Sequence, residues 1–205
     1  MSRENKTQPT DPLFNNPLLE KLTKTHIAVP IGSLLLYATG LFVWGKWQAG
    51  VSYSTLAYLF VSGLFLFTLA EYLIHRFAYH FEARTEKQKK RRYRIHGVHH
   101  AFPKDKRRLA MPPIISISLV TVLLIILKFT IGSYTYGFLS GFVTGYAPYL
   151  FMHYILHAYP PPKNFFRWLW IYHSIHHFKD DTIYFGVSSP LWDFVFGTVQ
   201  KKEAN

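Results

Sequence analysis

Eleven histidines in a chain of 205 residues that has no cysteine pose the first chemical question. Ten of them fall into four groups: His75 and His80; His96, His99 and His100; His153 and His157; and His173, His176 and His177. Only His26 stands apart. A lone histidine is most often a satisfied polar position, with a ring nitrogen bonded to a backbone carbonyl. Ten clustered imidazoles are different. Protonated, they would repel one another; neutral and buried, each needs partners for both nitrogens, and metal cations supply them economically. Without thiolates, any metal must be held by nitrogen or oxygen.

Spacing gives the local geometry. Side chains at i, i+3 and i+4 share one helical face and are expected to aim at a common point. His153 and His157 fit that pattern, and the two triads His96, His99, His100 and His173, His176, His177 repeat it. His75 and His80 are five apart, so the helix carrying them is expected to break or turn near Arg76. A structural zinc takes four ligands and a catalytic zinc about three plus water. Ten histidines exceed one such site, and two metals with roughly five ligands each would account for them. Imidazole suits iron, copper, nickel and zinc alike, so ligand type leaves the metal open.

Four apolar stretches are expected to position these groups. They run from about Ile27 to Trp47, Tyr53 to Ile74, Pro112 to Ile131 and Tyr134 to His157. Each is long enough at about 1.5 Å per residue to cross a hydrocarbon core roughly 30 Å thick. Pro112 and Pro113 open the third, where a helix tolerates proline. Residues 76–110 carry twelve lysines and arginines, whereas the loop between the first two stretches has Lys46 alone. Cytoplasmic loops retain positive charge, so both termini and every histidine group are expected on the cytoplasmic side. Trp44, Trp47, Tyr53, Tyr134 and Tyr136 then form an outer aromatic belt. The expected fold is an all-α integral membrane protein with four transmembrane helices and a cytoplasmic helical cap holding a dinuclear site. Residues 1–24 read as a flexible cytoplasmic tail, without the apolar run of a signal peptide, and residues 25–200 as one domain. The net charge of +12 would suit a nucleic acid, but juxtamembrane basic residues gain roughly 1 kcal/mol each near anionic lipid without one. No nucleic-acid partner is expected, and the bilayer is a bacterial inner membrane or the endoplasmic reticulum.

The four groups resemble the boxes of the fatty acid hydroxylase superfamily, which includes sterol desaturases and fatty acid 2-hydroxylases. His75-Arg76-Phe77-Ala78-Tyr79-His80, His96-Gly97-Val98-His99-His100, His153-Tyr154-Ile155-Leu156-His157 and His173-Ser174-Ile175-His176-His177 carry that resemblance, over roughly residues 55–198. Arg108-Leu109-Ala110-Met111-Pro112-Pro113, and Phe185-Gly186-Val187-Ser188 before Leu191-Trp192-Asp193, are similar to the 2-hydroxylase branch. The resemblance implies all ten histidines as ligands of two iron ions, for which zinc can substitute in a purified protein. It further implies molecular oxygen as co-substrate, and a hydroxyl inserted at carbon 2 of a fatty acid or sphingolipid acyl chain. It implies no catalytic residue beyond the ligands. Eukaryotic 2-hydroxylases often carry a fused cytochrome-b5-type domain, for which 205 residues leave no space. Electrons are therefore expected from a separate cytochrome-b5-type protein, or from a ferredoxin with its reductase.

Metal-bound histidines usually donate their second nitrogen to a carboxylate or carbonyl, and Glu71, Asp105, Asp180, Asp181 and Asp193 are the acidic candidates. Glu71 precedes His75 by one helical turn, and Asp193 could equally cap a helix. Gly137, Gly141 and Gly145, at i, i+4 spacing, allow either a tunnel or close helix packing, and packing is the favoured reading. Phe165 to Trp170 reads as an interfacial segment positioning the last box. The alternatives are a hydroxylase or desaturase of sterols, carotenoids or other lipids at the same site, and a metal-binding membrane protein or transporter. Transport would need polar groups along the spans, where this chain is apolar. Replacing His176 by alanine is expected to abolish turnover and lower the bound metal, and His26→Ala to leave both intact. Metal analysis alongside lipid product analysis checks both.

Overall fold

A computed structural model describes residues 12–200. Four long helices dominate: α2 (Ala28–Trp47), α3 (Tyr53–Leu73), α6 (Pro113–Ile131) and α7 (Thr135–Ala158). Short helices surround their ends: α1 (Pro17–Lys21), α4 (Glu86–Arg92), α5 (Val98–Ala101), α8 (Arg167–Phe178) and α9 (Leu191–Phe196). Two π-helical turns interrupt the regular pattern, π1 (Ile74–Tyr79) continuing α3 and π2 (Tyr93–Gly97) joining α4 to α5. Among the described residues there is no strand.

Three apolar segments are long enough to cross a membrane: Ala28–Trp47, Tyr53–Tyr79 and Pro113–Ala158. The last has 46 residues, which as one straight helix would measure about 69 Å, twice a bilayer core. It is instead folded. Gly132 takes φ 60°, a left-handed backbone that a side chain would resist, and a single 3-10 turn (Gly132–Tyr134) leads into α7.

Contacts set the directions. Thr25 N–H donates to Arg107 O, just before α6, and the hydroxyls of Tyr37 and Thr121 bond at 3.1 Å, so α2 and α6 run parallel. Gly45, late in α2, meets Tyr136, early in α7, so α2 and α7 are antiparallel. Leu56, Phe60 and Phe67 lie against Gly137, Gly141 and Gly145 in turn, so α3 and α7 run parallel. The carboxyl ends of α3 and α7 therefore share one end of the bundle with the amino ends of α2 and α6. Every histidine group sits there. Trp44, Trp47, Tyr53 and Tyr134 lie exposed at the other.

The packing of α3 on α7 is backbone against backbone. A Cβ on Gly141 would come 1.9 Å from Phe60 O, and one on Gly63 would come 2.0 Å from Phe138 O. The glycine stripe therefore closes the two helices together, as small residues do between membrane helices, and leaves no tunnel there. Leu34, Leu139, Val143 and Leu150 complete the core. By contrast α6 buries only Ser116 and exposes Ile114, Leu119, Val122, Ile125, Ile126 and Phe129, an apolar face of the kind that lipid covers.

Residues 12–24 depart from the flexible tail expected of them; the first eleven residues lie outside the described ones. Asn16 caps α1 by accepting from Leu18 and Leu19 N–H, and Glu20 reaches Arg108 at 2.5 Å and Lys24 at 2.9 Å. An ion pair to the segment preceding α6 thus ties α1 down. Gly141→Ala, which drives a methyl into backbone, is expected to cost about 1–3 kcal/mol. Gly40→Ala, which meets nothing within 4 Å, is expected to be neutral or slightly stabilising. Thermal unfolding of the two variants in detergent checks the difference.

Candidate metal centre

Each histidine group is delivered by a distinct local device. His75 lies in π1, where His80 N–H donates to His75 O, an i to i+5 bond that widens the turn. The five-residue spacing therefore marks a change of helical pitch where a break or turn was expected. His96 sits in π2, with His99 and His100 in α5 directly after it. His153 and His157 occupy the last turns of α7. His173, His176 and His177 lie on α8, which Phe165 and Phe166 precede and whose Trp170 donates its indole N–H to Tyr159 O.

The ten imidazoles form two groups of five, in each of which the ligand atoms lie within 4.8 Å of one another. One pentad is His75, His80, His96, His100 and His176; the other is His99, His153, His157, His173 and His177. The expectation that each helical triad aims at one point is corrected. His96 and His100, at i and i+4, turn to the first pentad, while His99 turns to the second. On α8, His173 and His177 belong to the second and His176 to the first. Each triad thus straddles both groups, and His100 stacks on His177 at 4.1 Å between ring centroids where the pentads adjoin.

The tautomers follow from the acceptors. Backbone carbonyls accept only, so Nδ1 of His75 donates to Phe185 O at 2.6 Å, that of His153 to Leu109 O at 3.2 Å and that of His176 to Ile183 O at 2.8 Å. The Nε2 atoms of these three rings must then carry lone pairs. They face other Nε2 atoms: His75 faces His96 at 3.1 Å, His153 faces His99 at 2.9 Å and His176 faces His80 at 3.1 Å. Nε2 of His173 and His157 meet at 2.7 Å. Nitrogens directed inward at such separations suit a cation between them. Nδ1 of His99 and His173 and both nitrogens of His177 are buried without a hydrogen-bond partner, a cost that coordination at a ring nitrogen offsets. The donor set fits the metals that imidazole binds.

Burial also keeps the rings neutral, as ligands must be. It is the first cause in holding His96, His99, His173 and His177 well below the ordinary histidine value, with neighbouring imidazoles adding to it. Burial likewise pushes His100 down to about 2 and His176 to about 4.

The acidic candidates have divided roles. Asp181 Oδ2 lies 3.5 Å from His80 Nδ1. Asp180 accepts from Thr182 N–H and hydroxyl, which hold its carboxyl below the usual range. Asp105 pairs with Arg108 at 3.6 Å. Glu71 and Asp193 bond to a loop and not directly to imidazole, contrary to expectation. Glu71 accepts from Val187 N–H and Ser188 N–H, both at 2.8 Å, and from the Ser188 hydroxyl. Asp193 accepts from Phe185 N–H, Gly186 N–H and the Thr198 hydroxyl, each at 2.8 Å. Within the same loop Tyr184 has φ 56°, a left-handed conformation that costs a side-chain-bearing residue roughly 1–2 kcal/mol. Gly186 is required by space, because a Cβ there would meet Ser189 O at 2.1 Å.

A cavity of about 330 Å3 adjoins the histidines, lined by His96, His99 and His153 together with apolar Leu109, Met111, Ile115 and Leu150. Leu13, Phe14 and Leu22 of the amino-terminal segment line it too, held in place by Arg94 over the Phe14 ring and by Arg108 bonding Thr23 and Glu20. Sequence reasoning missed this segment and the carbonyls of Leu109, Ile183 and Phe185.

The family model described as fatty acid hydroxylase matches residues 60–198. The chain belongs to the fatty acid hydroxylase family. Members of this family are generally iron-dependent. Among relatives of this hydroxylase-family chain, the ceramide very long chain fatty acid hydroxylase scs7 of Schizosaccharomyces pombe is 36% identical over 194 residues, covering 91% of this chain and 54% of the relative. The fatty acid 2-hydroxylase of Homo sapiens is 32% identical over 208 residues, covering 91% and 56%. A solved structure of full-length scs7p, in which only the hydroxylase domain is visible, superposes with a TM-score of 0.82 at 33% identity, covering 93% of this chain and 72% of that one. The chain thus spans about half the length of these two curated relatives.

The lowered histidine values fix a pH dependence. In the unfolded chain His176 takes up a proton near its ordinary 6.5, and in the folded metal-free protein only near 4. Between those values the unfolded state binds more protons, so stability is full above about 6.5 and falls as pH drops towards 4. Melting temperatures of chelator-treated protein are expected to hold from pH 7.5 to about 6.5 and to fall from there to 4.5, and a flat profile throughout would contradict neutral burial.

Proposed function

We propose that this chain is a membrane non-haem di-iron oxidoreductase that inserts a hydroxyl at carbon 2 of a long-chain fatty acid or of a sphingolipid acyl chain. The observation that carries it is the pair of histidine pentads, with Nε2 lone pairs directed inward, beside an apolar cavity in a chain of the fatty acid hydroxylase family. The names of both relatives, a ceramide very long chain fatty acid hydroxylase and a fatty acid 2-hydroxylase, favour an acyl chain over a sterol or carotenoid, and the second favours carbon 2.

In this reading each pentad holds one iron: His75, His80, His96, His100 and His176 the first; His99, His153, His157, His173 and His177 the second. Two bound irons would supply the redox chemistry that a saturated C–H bond requires. One atom of molecular oxygen enters the C–H bond and the other leaves as water, which takes two electrons and two protons from outside the substrate. A separate donor, a cytochrome-b5-type protein or a ferredoxin with its reductase, supplies the electrons. The chain's own contribution is placement. Leu109, Met111, Ile115 and Leu150 hold the alkyl chain by apolar contact, and Leu13, Phe14 and Leu22 of the amino-terminal segment add an apolar wall to the cavity.

The helices α2, α3, α6 and α7 cross the bilayer as four spans, with both termini and the histidine cap on the cytoplasmic side. The reversal at Gly132 and the basic residues of α4 beside the histidine end support this. Residues 25–200 act as one domain, in the endoplasmic reticulum or a bacterial inner membrane. The test is mass spectrometry of hydrolysed lipids from cells with and without this gene, given long-chain fatty acid and a compatible donor. A new acyl species with one added oxygen at carbon 2 is expected. Unchanged acyl chains, with iron bound to the purified protein, would move the substrate to another lipid.

A further inference from the structure

The two pentads are supported unequally. In the first, His75 and His176 donate their Nδ1 protons to Phe185 O and Ile183 O, the carbonyls on either side of Tyr184. A single left-handed residue thus aims two acceptors at two imidazoles of the same pentad. In the second, His153 alone has such a bond, to Leu109 O at the opposite wall, and Nδ1 of His99, His173 and His177 has no partner.

The loop holding Ile183 and Phe185 is too irregular to hold itself. Four successive backbone N–H groups, Phe185 to Ser188, are all taken up by carboxylates: the first two by Asp193 and the last two by Glu71. Tyr184 N–H donates to Thr198 O, and the Tyr184 ring stacks on Tyr172 at 4.3 Å. Asp193 is fully buried and Glu71 nearly so. Two buried carboxyl groups accepting from four consecutive amides fix a short segment against both α3 and α9, because losing a buried acceptor would leave those amides unsatisfied.

We propose that Asp193 and Glu71 are positioning residues for one metal only, acting through the turn at Tyr184 to orient His75 and His176 of the first pentad. This rests on the reading of the site as two metals, one per pentad. Partners one shell out from a metal ligand typically contribute 10–100-fold to its affinity. Here the effect passes through backbone carbonyls and is confined to the pentad they touch. The second pentad has only the Leu109 carbonyl on His153 as such a brace, and the packing of α5, α7 and α8 places its other rings.

The experiment is cobalt(II) titration of full-length, metal-stripped protein in detergent, followed by visible absorption and by metal content per chain. Wild type is expected to take up two equivalents. Asp193→Ala and Glu71→Gln are expected to weaken one equivalent by about 10–100-fold and leave the other unchanged. Ligand variants identify which: adding Asp193→Ala to His157→Ala weakens the equivalent that remains, whereas adding it to His80→Ala changes nothing further. Asp193→Asn, which keeps one acceptor oxygen, is expected to restore part of the affinity. Ser188→Ala, the loss of one hydroxyl that bonds Glu71, is the variant to read where Asp193→Ala fails to fold, and is expected to weaken the same equivalent. Both equivalents weakened alike, or neither, would overturn the positioning role while sparing the two-metal site. No uptake by wild type would overturn both.

Discussion

An imidazole has two ring nitrogens and, when neutral, one proton between them, so any group that fixes the proton on Nδ1 turns Nε2 into an acceptor with a definite direction. The histidine end of this bundle depends on that constraint. Carbonyls of Leu109, Ile183 and Phe185 take the Nδ1 protons of His153, His176 and His75, and the opposite edges of those rings then meet other rings edge to edge. Such an arrangement is unfavourable for bare nitrogens and favourable around cations. Much of the remaining structure serves to keep ten rings from relaxing away from one another, by burying them where protonation is suppressed and by tying the carbonyls in place.

The bundle below makes this possible through contact too close for side chains. Gly63 and Gly141 bring the backbones of α3 and α7 together, so that two parallel helices end side by side and present His75 and His153 at the same level. Substituents at the stripe would separate the helices and with them the pentads they carry. Stability of the membrane core and geometry of the histidine cap are therefore coupled through one interface.

How much of this could be read in advance differs by residue. The four long helices begin and end within one or two positions of the apolar stretches, because length and composition nearly determine them. All ten histidines of the two pentads were visible as clusters. Their partition was not: at i, i+3 and i+4 the members of a triad share a face, and only the placement of partner helices decides that His99 and His176 turn aside from their neighbours. Glu71 and Asp193 were visible as acids near histidines, and residues 185–188 as a segment of the resemblance, but a bond from a carboxyl group to a backbone amide leaves no trace in side-chain types that would pair the two. Residues 17–21 were assigned to a polar tail because five residues are too few for a periodic signal, and what orders them is a distant arginine, Arg108.

The π-helical turn at Ile74–Tyr79 behaves as a phase shift. An α-helix advances about 100° per residue, so a turn widened by one residue carries everything after it round by that much relative to what came before. The chain leaving α3 consequently departs in a direction that an uninterrupted α-helix could not give it, with His75 and His80 on the same side. One surplus residue in the helix thereby sets the heading of the whole connection to α4. Point substitutions between the two histidines would change chemistry locally, but a deletion of one residue would rotate every later atom of the connection out of step with the bundle.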